Sequence, residues 1–416
     1  MPRVLLLLPT TTYRAADFLA AAERLGADVT VASEEPSAVT SLNPDGLLRL
    51  DFRDPEGSAA RVAELSRRQP IDAVLGVDDD TSAAAAAIAA ALGLAQNPPA
   101  AAAAARHKPT MRGLLADAGV GAPSFRVFDR REDPARFSAD VRYPCVLKPT
   151  FLAASRGVIR ADEPGAFEAA WRRIGRILDD PDVALRGGEA AGEILVEDFV
   201  AGLEVAVEGL LTGGRLQVLA IFDKPDPMEG PFFEETIYVT PSRLSEANQA
   251  SIAGETERAA RALGLTEGPV HAELRVHRRG ITVIEIAARS IGGLCSRTLR
   301  FGTGMSLEEV ILRHALRLPP GAARETAAAG VMMIPIRYSG RLARVTGLEA
   351  ARAVPGIVEA TITLRLGQEM VPLPEGWRYL GFLFSRGETP ADAERSLRDA
   401  HAFLGFESEE GEKAPA

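Results

Sequence analysis

The sequence predicts an α/β region followed by α+β regions, in two or three domains. The first hundred residues alternate strand and helix, beginning with the strand "RVLLLL" and the helix "RAADFLAAAERLG". This alternation is typical of a small parallel sheet with crossover helices. Residues 190–315 are rich in strands, and residues 330–406 again mix strands and helices. A chain of 416 residues is long enough for two or three domains of ordinary size.

The turn after the first strand reads "LPTTTYR" and lacks the GxGxxG fingerprint. This argues against dinucleotide binding, and so against a dehydrogenase. Further along, Asp78-Asp79-Asp80 precedes the alanine-rich segment "TSAAAAAIAAALGL". We interpret this triplet as a helix start, with Asp80 or Thr81 as N-cap and Gly93 as C-cap, in preference to a metal site.

The composition restricts which binding partners and which cellular compartment we expect for this protein. A net charge of -10 argues against nucleic acid or an anionic membrane as the main partner. Cys145 and Cys295 have no metal-binding or redox spacing, which favours reduced thiols inside a cell. The N-terminal apolar run ends at Pro9, and no stretch approaches the ~20 apolar residues of a membrane span. We therefore expect a cytoplasmic protein.

The segment "VHAELRVHRRGITVIEIAAR", residues 270–289, predicts a β-hairpin with Gly280 ending a three-residue loop. In that register Glu273 opposes Glu285, and period-2 alternation places Leu274, Val276, Ile284 and Ile286 on the other, apolar face. The remaining predicted pairs are His271 with Ala287, Arg275 with Val283, and His277 with Ile281.

Opposed like charges on a sheet are destabilising, so something must compensate for Glu273 and Glu285. A divalent cation bound between the two carboxylates is the simplest candidate. The alternative is a pair of solvated glutamates on an exposed face, with positive charge supplied by Arg275.

Three upstream segments bear on this choice. In "YPCVLKPTFLAASRGV", Lys148 ends an apolar strand before a loop with Ser155, Arg156 and Gly157, an arrangement expected where amides, a hydroxyl and cations hold phosphate oxygens. The alternative is a surface lysine with a mobile loop. In "HKPTMRGLLADAGV", Lys108 and an arginine four residues later share a helix face.

The third segment, "ILVEDFVAGLEVAVEG", runs from an apolar strand into a short linker, with Glu204 seven residues after Glu197. Such a hinge can present backbone groups to a purine edge while a carboxylate accepts ribose hydroxyls. A plain β-turn with surface acids is the alternative.

In this order, the segments resemble the ATP-grasp superfamily of carboxylate-amine ligases. The matching stretches are "HKPTMR", "VLKPTFLAASRGV", "VEDFVAGLE" and "HAEL…VIEIAARSIGG". The resemblance implies an ATP-grasp fold with a Rossmann-like N-terminal domain and a C-terminal α+β domain. The implied domains are residues 1–118, an ATP-grasp domain 119–315 (lid 119–190, nucleotide and metal part 191–315), an α+β domain 316–406 and a disordered tail 407–416.

The resemblance also implies roles for individual residues. Lys108 and Lys148 would contact ATP phosphates, and Arg289 would contact the substrate carboxylate or an acyl-phosphate. Glu273 and Glu285 would coordinate Mg²⁺, or Mn²⁺ in its place. The other implied nucleotide contacts are the lid residues Ser155, Arg156 and Gly157, the adenine-site residues Glu197, Asp198, Phe199 and Val200, and the ribose ligand Glu204.

Two positions depart from the family pattern. The usual Asn at the third metal position is Ala287, which has no ligand atom, so a second Mg²⁺ would be held by Glu285 and water or more weakly. The acidic residue that often precedes the first lysine is His107. Both lysines and both glutamates remain, which favours an active enzyme over a non-catalytic ATP-binding regulator.

Within the superfamily, the long C-terminal region and the "H-x-E" strand look most like L-amino-acid ligases that make dipeptides. His271 would touch the amino-acid substrate or an oxyanion, or else be a hydrogen-bonded sheet histidine. The stretch "SIGGLCSRTLRFGTG" would form a substrate loop; Arg297 in it would bind a carboxylate or form a salt bridge, and Cys295 would pack. The implied substrate-loop residues are Gly292, Gly293, Ser296 and Arg297.

These features predict an ADP-forming ligase that activates a carboxylate as acyl-phosphate and joins it to an amine. The partners would be small carboxylates and amines, with neither nucleic acid nor membrane, and a homodimer is expected only by resemblance. A carboxylase or formyl-transferring ligase of purine or biotin type would share the fold and the ATP site, and remains the rival interpretation.

Overall fold

The computed structural model describes residues 1–35, 47–302, 304–319, 325, 327–409 and 413–414, the last two by their backbone. This part of the chain forms four sheets and eleven α-helices. None of the described helices combines the length and the apolar character that a membrane span requires.

The N-terminal region is a four-stranded parallel sheet with the order β3-β2-β1-β4. This confirms the predicted parallel sheet with crossover helices. Leu7 and Gly76, at the carboxyl ends of β1 and β4, are neighbours, so the turns that follow these strands meet at one edge. The elements are β1 (Arg3–Leu7), α1 (Ala15–Leu25), β2 (Asp28–Ser33), β3 (Leu47–Arg49), α2 (Pro55–Ser66), β4 (Ala73–Gly76) and α3 (Asp79–Leu92).

Helix α3 begins earlier than predicted. Its N-cap is Asp78, in a capping box with Thr81, and not Asp80 or Thr81. Asp79 and Asp80 therefore lie in the first turn, where their carboxylates are not needed for capping. The predicted C-cap is confirmed, because Gly93 has a φ of 67°.

A second sheet carries the lid, with the order β5-β8-β6-β7. Strand β8 pairs with both β5 and β6, so the sheet of the lid extends past the boundary predicted at residue 190. The elements are α4 (Pro99–Arg106), α5 (Lys108–Asp117), β5 (Phe125–Asp129), β6 (Cys145–Pro149), β7 (Ile159–Ala161), α6 (Pro164–Leu178), α7 (Pro181–Gly187) and β8 (Glu193–Asp198).

The third sheet has eight strands in the order β13-β12-β9-β10-β11-β14-β18-β16. Because β11 pairs with β14, this sheet runs across the boundary predicted at residue 315. Its elements are β9 (Leu203–Thr212), β10 (Arg215–Asp223), β11 (Ile237–Thr240), α8 (Glu246–Leu263), β12 (Gly268–His277), β13 (Gly280–Ala287), α9 (Leu307–Ala315), β14 (Ala328–Ile334), β16 (Ile357–Ile362) and β18 (Gly381–Gly387).

The C-terminal region adds a sheet with the order β17-β15-β19-β20. The predicted disorder of residues 407–416 is wrong for residues 407–408 and 413–414, because β19 pairs with both β15 and β20. Residues 410–412, 415 and 416 lie outside the described residues. The elements are β15 (Gly340–Thr346), α10 (Leu348–Arg352), β17 (Glu369–Met370), α11 (Pro390–His401), β19 (Gly405–Ser408) and β20 (Lys413–Ala414).

One apolar core joins all three predicted regions. Val4 of the N-terminal sheet and Phe18 of helix α1 pack with Phe222 of the large sheet and with Met333 and Phe382 near the C-terminus. Such continuous burial removes apolar surface from water on all sides and so holds the regions together.

The buried cation Arg14 crosses the same junction. Its guanidinium donates to the Ser290 hydroxyl at 2.6 Å and to the Glu308 carboxylate at 2.9 Å. Since both members of this ion pair are almost fully buried, the loop after β1 is fixed against helix α9.

The β12–β13 hairpin contains a β-bulge that the sequence did not reveal. Glu273 opposes Glu285 and His271 opposes Ala287, as predicted, but Leu274 pairs with Val283, which leaves Ile284 extra. The loop is also one residue shorter than predicted, since His277 pairs with Gly280. The predicted pairs Arg275–Val283 and His277–Ile281 are therefore wrong, and the shorter loop and the bulge compensate each other before Glu285.

Because of the bulge, the side chains of Val283 and Ile284 lie on the opposite faces of the sheet from those predicted. Val283 is fully buried in the core beneath the hairpin, together with Leu274 and Ile286. Ile284, predicted to lie in that core, instead lines a cavity on the opposite face.

Val283→Ala should therefore destabilise the protein more than Ile284→Ala. We expect a loss of about 2 kcal/mol at Val283, from two buried methyl groups and the space they leave, and less than about 1 kcal/mol at Ile284. Urea unfolding followed by circular dichroism measures both values. A larger loss at residue 284 would contradict the bulged register.

Candidate active site

A cavity of about 290 Å³ lies where the N-terminal sheet, the lid, the large sheet and the C-terminal region meet. Its wall contains most of the residues predicted to bind ligand. Three of the predicted residues, Gly157, Ser296 and Arg297, do not line the cavity. The predicted residues in the wall are Lys108, Lys148, Ser155, Arg156, Glu197, Asp198, Phe199, Val200, Glu204, His271, Glu273, Glu285, Arg289, Gly292 and Gly293.

Helix α5 presents the first lysine to the cavity. Lys108 is the first residue of the helix, and its ammonium donates to the Leu152 carbonyl at 2.7 Å and lies 3.4 Å from the Glu285 carboxylate. Arg112, one turn later on the same face, donates to the carbonyl of the bulged Ile284 at 2.6 Å. The helix therefore positions a cation beside Glu285 and supports the bulge.

The second lysine belongs to a buried charge cluster. The Glu197 carboxylate pairs with the Lys148 ammonium and with the Arg112 guanidinium, 2.9 Å away. Burial works to raise the pKa of Glu197, but Arg112 and Lys148 lower it below its usual value. The ionised carboxylate thus holds the Lys148 ammonium at the wall of the cavity.

The lid loop, defined here as residues 151–157, joins β6 to β7 in an unusual backbone conformation. Ala154 and Ser155 both have a φ of 55°, and Gly157 has a φ of 74°. A Cβ on Gly157 would meet the Pro149 ring at 2.6 Å, so glycine is required there.

Two predicted phosphate contacts in this loop have other partners in the structure. The amide of Gly157 donates to the Pro374 carbonyl at 2.8 Å, and Nε of Arg156 donates to the Glu375 carbonyl at 2.9 Å. The Gly157 amide is therefore already bonded in this conformation, and a phosphate contact through it stays a prediction. Ser155 remains in the wall of the cavity.

An apolar slot lies beside the hinge between β8 and β9. Val146, Met228 and Phe233 form a small buried cluster, with Val158 and Phe199 packed against it. All five line the cavity. A slot of this kind beside a hinge suits a flat heteroaromatic ring.

Two of the hinge amides are already bonded within the protein. Asp198 donates its amide to the Ser124 carbonyl at 2.9 Å, and Phe199 donates to Pro144 at 3.0 Å. These bonds fix the path of the hinge along the slot.

Sequence reasoning missed two functional candidates: Glu235, which lines the cavity, and its ion-pair partner Lys224 behind the wall. The Lys224 ammonium lies 2.8 Å from Glu204, 2.5 Å from Glu235 and 3.3 Å from Glu273. Arg275 also pairs with Glu204, at 2.6 Å. A signal was present: Lys224 follows the apolar strand "LAIFD", just as Lys148 ends "CVLKP".

Charge compensation in this network decides the protonation states. Burial works to lower the pKa of Lys224, but three carboxylates raise it well above its usual value. Burial likewise works to raise the pKa of Glu273, whereas Lys224 brings it well below its usual value. Glu235 differs, because burial raises its pKa. Glu273 is therefore held as an ionised carboxylate.

The carboxylates around Lys224 also have the spacing of a metal site. Ligand oxygens of Glu204, Glu235 and Glu273 lie within 4.8 Å of one another. The Lys224 ammonium lies among them and compensates part of their negative charge, with Arg275 adding a second cation at Glu204. Glu285 lies across the hairpin from Glu273 and is partly exposed to the cavity.

His271 lies in the cavity wall and has a partner within the sheet. It lines the cavity, and it is also a hydrogen-bonded sheet histidine, with Nδ1 3.3 Å from the buried Glu208 carboxylate. Burial works to lower the pKa of His271, but bonds to Glu208 and Glu273 raise it. Glu208 also accepts the Ile291 amide at 2.9 Å. It therefore links His271 to the predicted substrate loop that contains Gly292 and Gly293.

Arg289 reaches the cavity from the end of β13. It donates to the Asp79 carboxylate at 2.8 Å, and this pairing raises the pKa of Arg289 although burial opposes it. Asp80 pairs with Arg106 and with Arg186 of α7, each at 2.6 Å. Asp79 and Asp80 are thus ion-pair partners, and Asp78 caps the helix.

Part of the predicted substrate loop faces away from the cavity. Arg297 pairs with Asp17 at 3.0 Å and with Glu359 at 2.6 Å, which is the salt-bridge alternative. Ser296 is fully buried outside the wall. Burial raises the pKa of Cys295, which lines the inner end as a neutral thiol.

Comparison with known families agrees with this geometry. The model of the ATP-grasp domain matches residues 141–298, and the ATP-grasp N-terminal domain matches residues 19–96. The L-amino acid ligase C-terminal domain 2 matches residues 332–409. The chain is an ATP-grasp protein. The predicted fold class is confirmed.

Individual relatives of this ATP-grasp protein point in the same direction. It is similar to the crystal structure of an L-amino acid ligase from Bacillus licheniformis, with a TM-score of 0.82, 26% identity, and coverage of 98% of this chain and 99% of that one.

Two curated relatives align over part of their length. The alanine–anticapsin ligase of Bacillus subtilis is 28% identical over 221 residues, 50% of this chain and 46% of that protein. Carnosine synthase 1 of Gallus gallus is 30% identical over 224 residues, 50% of this chain and 23% of that protein. The aligned part is thus less than half the length of each.

Lys224→Met should destabilise the protein by about 3–5 kcal/mol, because three buried carboxylates lose their shared cation. Magnesium chloride should then raise the melting temperature of the variant more than that of the wild type, since a divalent ion can take the place of the ammonium. Thermal unfolding with and without the salt measures this.

Arg243→Met is the matched control, because Arg243 also joins two carboxylates, Asp223 and Glu394, but outside the cavity. An equal response to magnesium in all three proteins would contradict a cation-binding carboxylate group around residue 224.

Proposed function

We propose that this ATP-grasp protein uses ATP to activate a carboxylate as an acyl-phosphate and joins it to an amine, most simply two amino acids. The observation that carries the proposal is the meeting of Lys108, Lys148, Glu273 and Glu285 in one cavity beside an apolar slot. Cations and carboxylates in one wall suit a polyphosphate with its metal ion.

The nucleotide would lie along the hinge. Its base would occupy the slot formed by Val146, Met228 and Phe233, and the Glu204 carboxylate would accept the ribose hydroxyls. Lys108 and Lys148 would contact the phosphates, because their ammonium groups lie at the same wall. Ser155 would add a hydroxyl from the lid loop.

Glu273 and Glu285 have the oxygen donors that Mg²⁺ or Mn²⁺ prefers, and they oppose each other across the hairpin. The ionised state of Glu273 fits this role, and Ala287 adds no ligand atom from its side chain. When bound, the ion neutralises charge on the phosphate oxygens.

The acid would occupy the inner part of the cavity, beyond the phosphates. Glu235, Tyr238, Met333 and Tyr379 line the cavity and would surround the acid. The Glu235 carboxylate could accept a hydrogen bond from an α-ammonium, and Arg289 supplies the nearby positive charge for a carboxylate or an acyl-phosphate. The similarity to an L-amino acid ligase supports amino acids as substrates.

The reaction has two steps. A carboxylate oxygen attacks the γ-phosphorus and the bond to ADP breaks, which leaves an acyl-phosphate. The amine nitrogen then attacks the acyl carbon, phosphate leaves with the electron pair of the C–O bond, and the nitrogen loses a proton. His271 would donate a hydrogen bond to the oxyanion at this wall.

A side-chain nucleophile is not needed for this route. This agrees with the two cysteines, which are buried thiols: burial raises the pKa of Cys145 to about 12 and that of Cys295 further.

The proposal predicts phosphate release from ATP and Mg²⁺ when the protein is given suitable pairs of L-amino acids. The product mass should equal the sum of the two acids less one water. Glu285→Gln should lower the rate of phosphate release at least about 100-fold. Loss of a residue that only supports a metal ligand costs up to about 100-fold, and Glu285 is proposed to be a ligand itself. Phosphate assays over a panel of single and paired amino acids, with mass spectrometry, measure both quantities.

Glu349→Gln serves as the control, because Glu349 is an exposed carboxylate paired with Arg352 outside the cavity. Phosphate release with bicarbonate in place of the amino-acid carboxylate would favour the carboxylase interpretation. ATP binding without turnover on any acid would favour a regulator.

A further inference from the structure

The loop Pro374–Tyr379, here called the C-terminal loop, reaches the cavity and contacts the lid. Trp377 and Tyr379 line the cavity on one side of this loop. On the other side, the Pro374 and Glu375 carbonyls accept the bonds from Gly157 and Arg156 described above. Two successive carbonyls thus bind two successive residues of the lid loop.

The Glu375 side chain adds a two-point ion pair to the lid helix α6. Its two carboxylate oxygens accept from Nε and a terminal nitrogen of Arg173, at 2.6 and 2.8 Å. The hydrogen bond from Arg173 lowers the pKa of Glu375. The Arg173 guanidinium also lies 4.9 Å from the centre of the Phe232 ring, which fixes its orientation.

These contacts join parts of the chain that are about two hundred residues apart. The lid loop must move aside for a nucleotide to enter and must cover the phosphates during the reaction. A contact that exists only when the lid meets the C-terminal loop stabilises the covered state.

We propose that Glu375 is a positioning residue that holds the lid closed over the acyl-phosphate until the amine attacks. This inference rests on the proposed function. If the lid opens early, water attacks the acyl carbon: its oxygen forms the new C–O bond, phosphate leaves with the old bonding pair, and a proton passes to solvent. ATP is then consumed without an amide product.

The measurable quantity is the ratio of phosphate released to amide formed. Glu375→Gln and Arg173→Gln should each raise this ratio about two- to fivefold, the factor typical of a half-exposed ion pair. The double exchange Arg173→Glu with Glu375→Arg should bring the ratio back towards the wild-type value. Loss of folding alone would lower both products together and leave their ratio unchanged.

Arg172→Gln is the matched control. Arg172 is the neighbouring residue of α6 and also pairs with a carboxylate, Glu168, but within the same helix. Its removal therefore changes the charge of the helix by the same amount without touching the C-terminal loop, and its ratio should equal that of the wild type.

Three results would overturn the proposal: an unchanged ratio in both single variants, an equal rise in Arg172→Gln, or an exchange variant no better coupled than the singles. If one single variant does not fold, the phosphate-to-amide ratio of the exchange variant is compared with that of the remaining single variant. A ratio no lower in the exchange variant would then overturn the proposal. Wild-type protein that forms no amide with any substrate pair would instead refute the proposed function.

Discussion

Compensation of buried charge is the constraint on which the rest of the site depends. Three of the cations that face the cavity show this: Lys108 has Glu285 as its carboxylate partner, Lys148 has Glu197, and Arg289 has Asp79. Desolvating any one of these charges alone would cost several kcal/mol. The pairs come from different elements, so packing of the sheets and formation of the site are one event.

This constraint also explains how the cavity can bind a charged ligand. In the proposed complex, a cation shared between protein carboxylates and the phosphates would keep oxygen ligands before and after binding. The network around Lys224 is the clearest case, because three carboxylates surround one ammonium. The electrostatic environment is in place before the ligand arrives, and little rearrangement is needed on binding.

The lid is also held by ion pairs between distant elements. It is bonded to the N-terminal region through Arg186 and Asp80 and to the C-terminal loop through Arg173 and Glu375. Both ion pairs are partly exposed, so each contributes modestly and can break when the lid opens. Buried ion pairs such as Arg112–Glu197 cost more to separate. We therefore expect the exposed contacts of the lid to break before the buried ones.

Local sequence pattern was enough for the parallel N-terminal sheet, and resemblance to the ATP-grasp superfamily predicted the fold of the rest of the chain. The opposition of Glu273 and Glu285 was predicted correctly only because the error in loop length and the unpredicted bulge cancel. The register near the turn could not be predicted, because the bulge at Ile284 depends on Arg112, which donates to the Ile284 carbonyl from a distant helix.

Tertiary structure alone decided the partners of Lys224, the pairing of Arg289 with Asp79, the turning of Arg297 away from the cavity and the use of the Gly157 amide by the C-terminal loop. The sequence by itself determined which residue types line the strand ends and in what order. Contacts between residues that are tens to hundreds of positions apart follow from how the sheets pack, which local pattern does not encode.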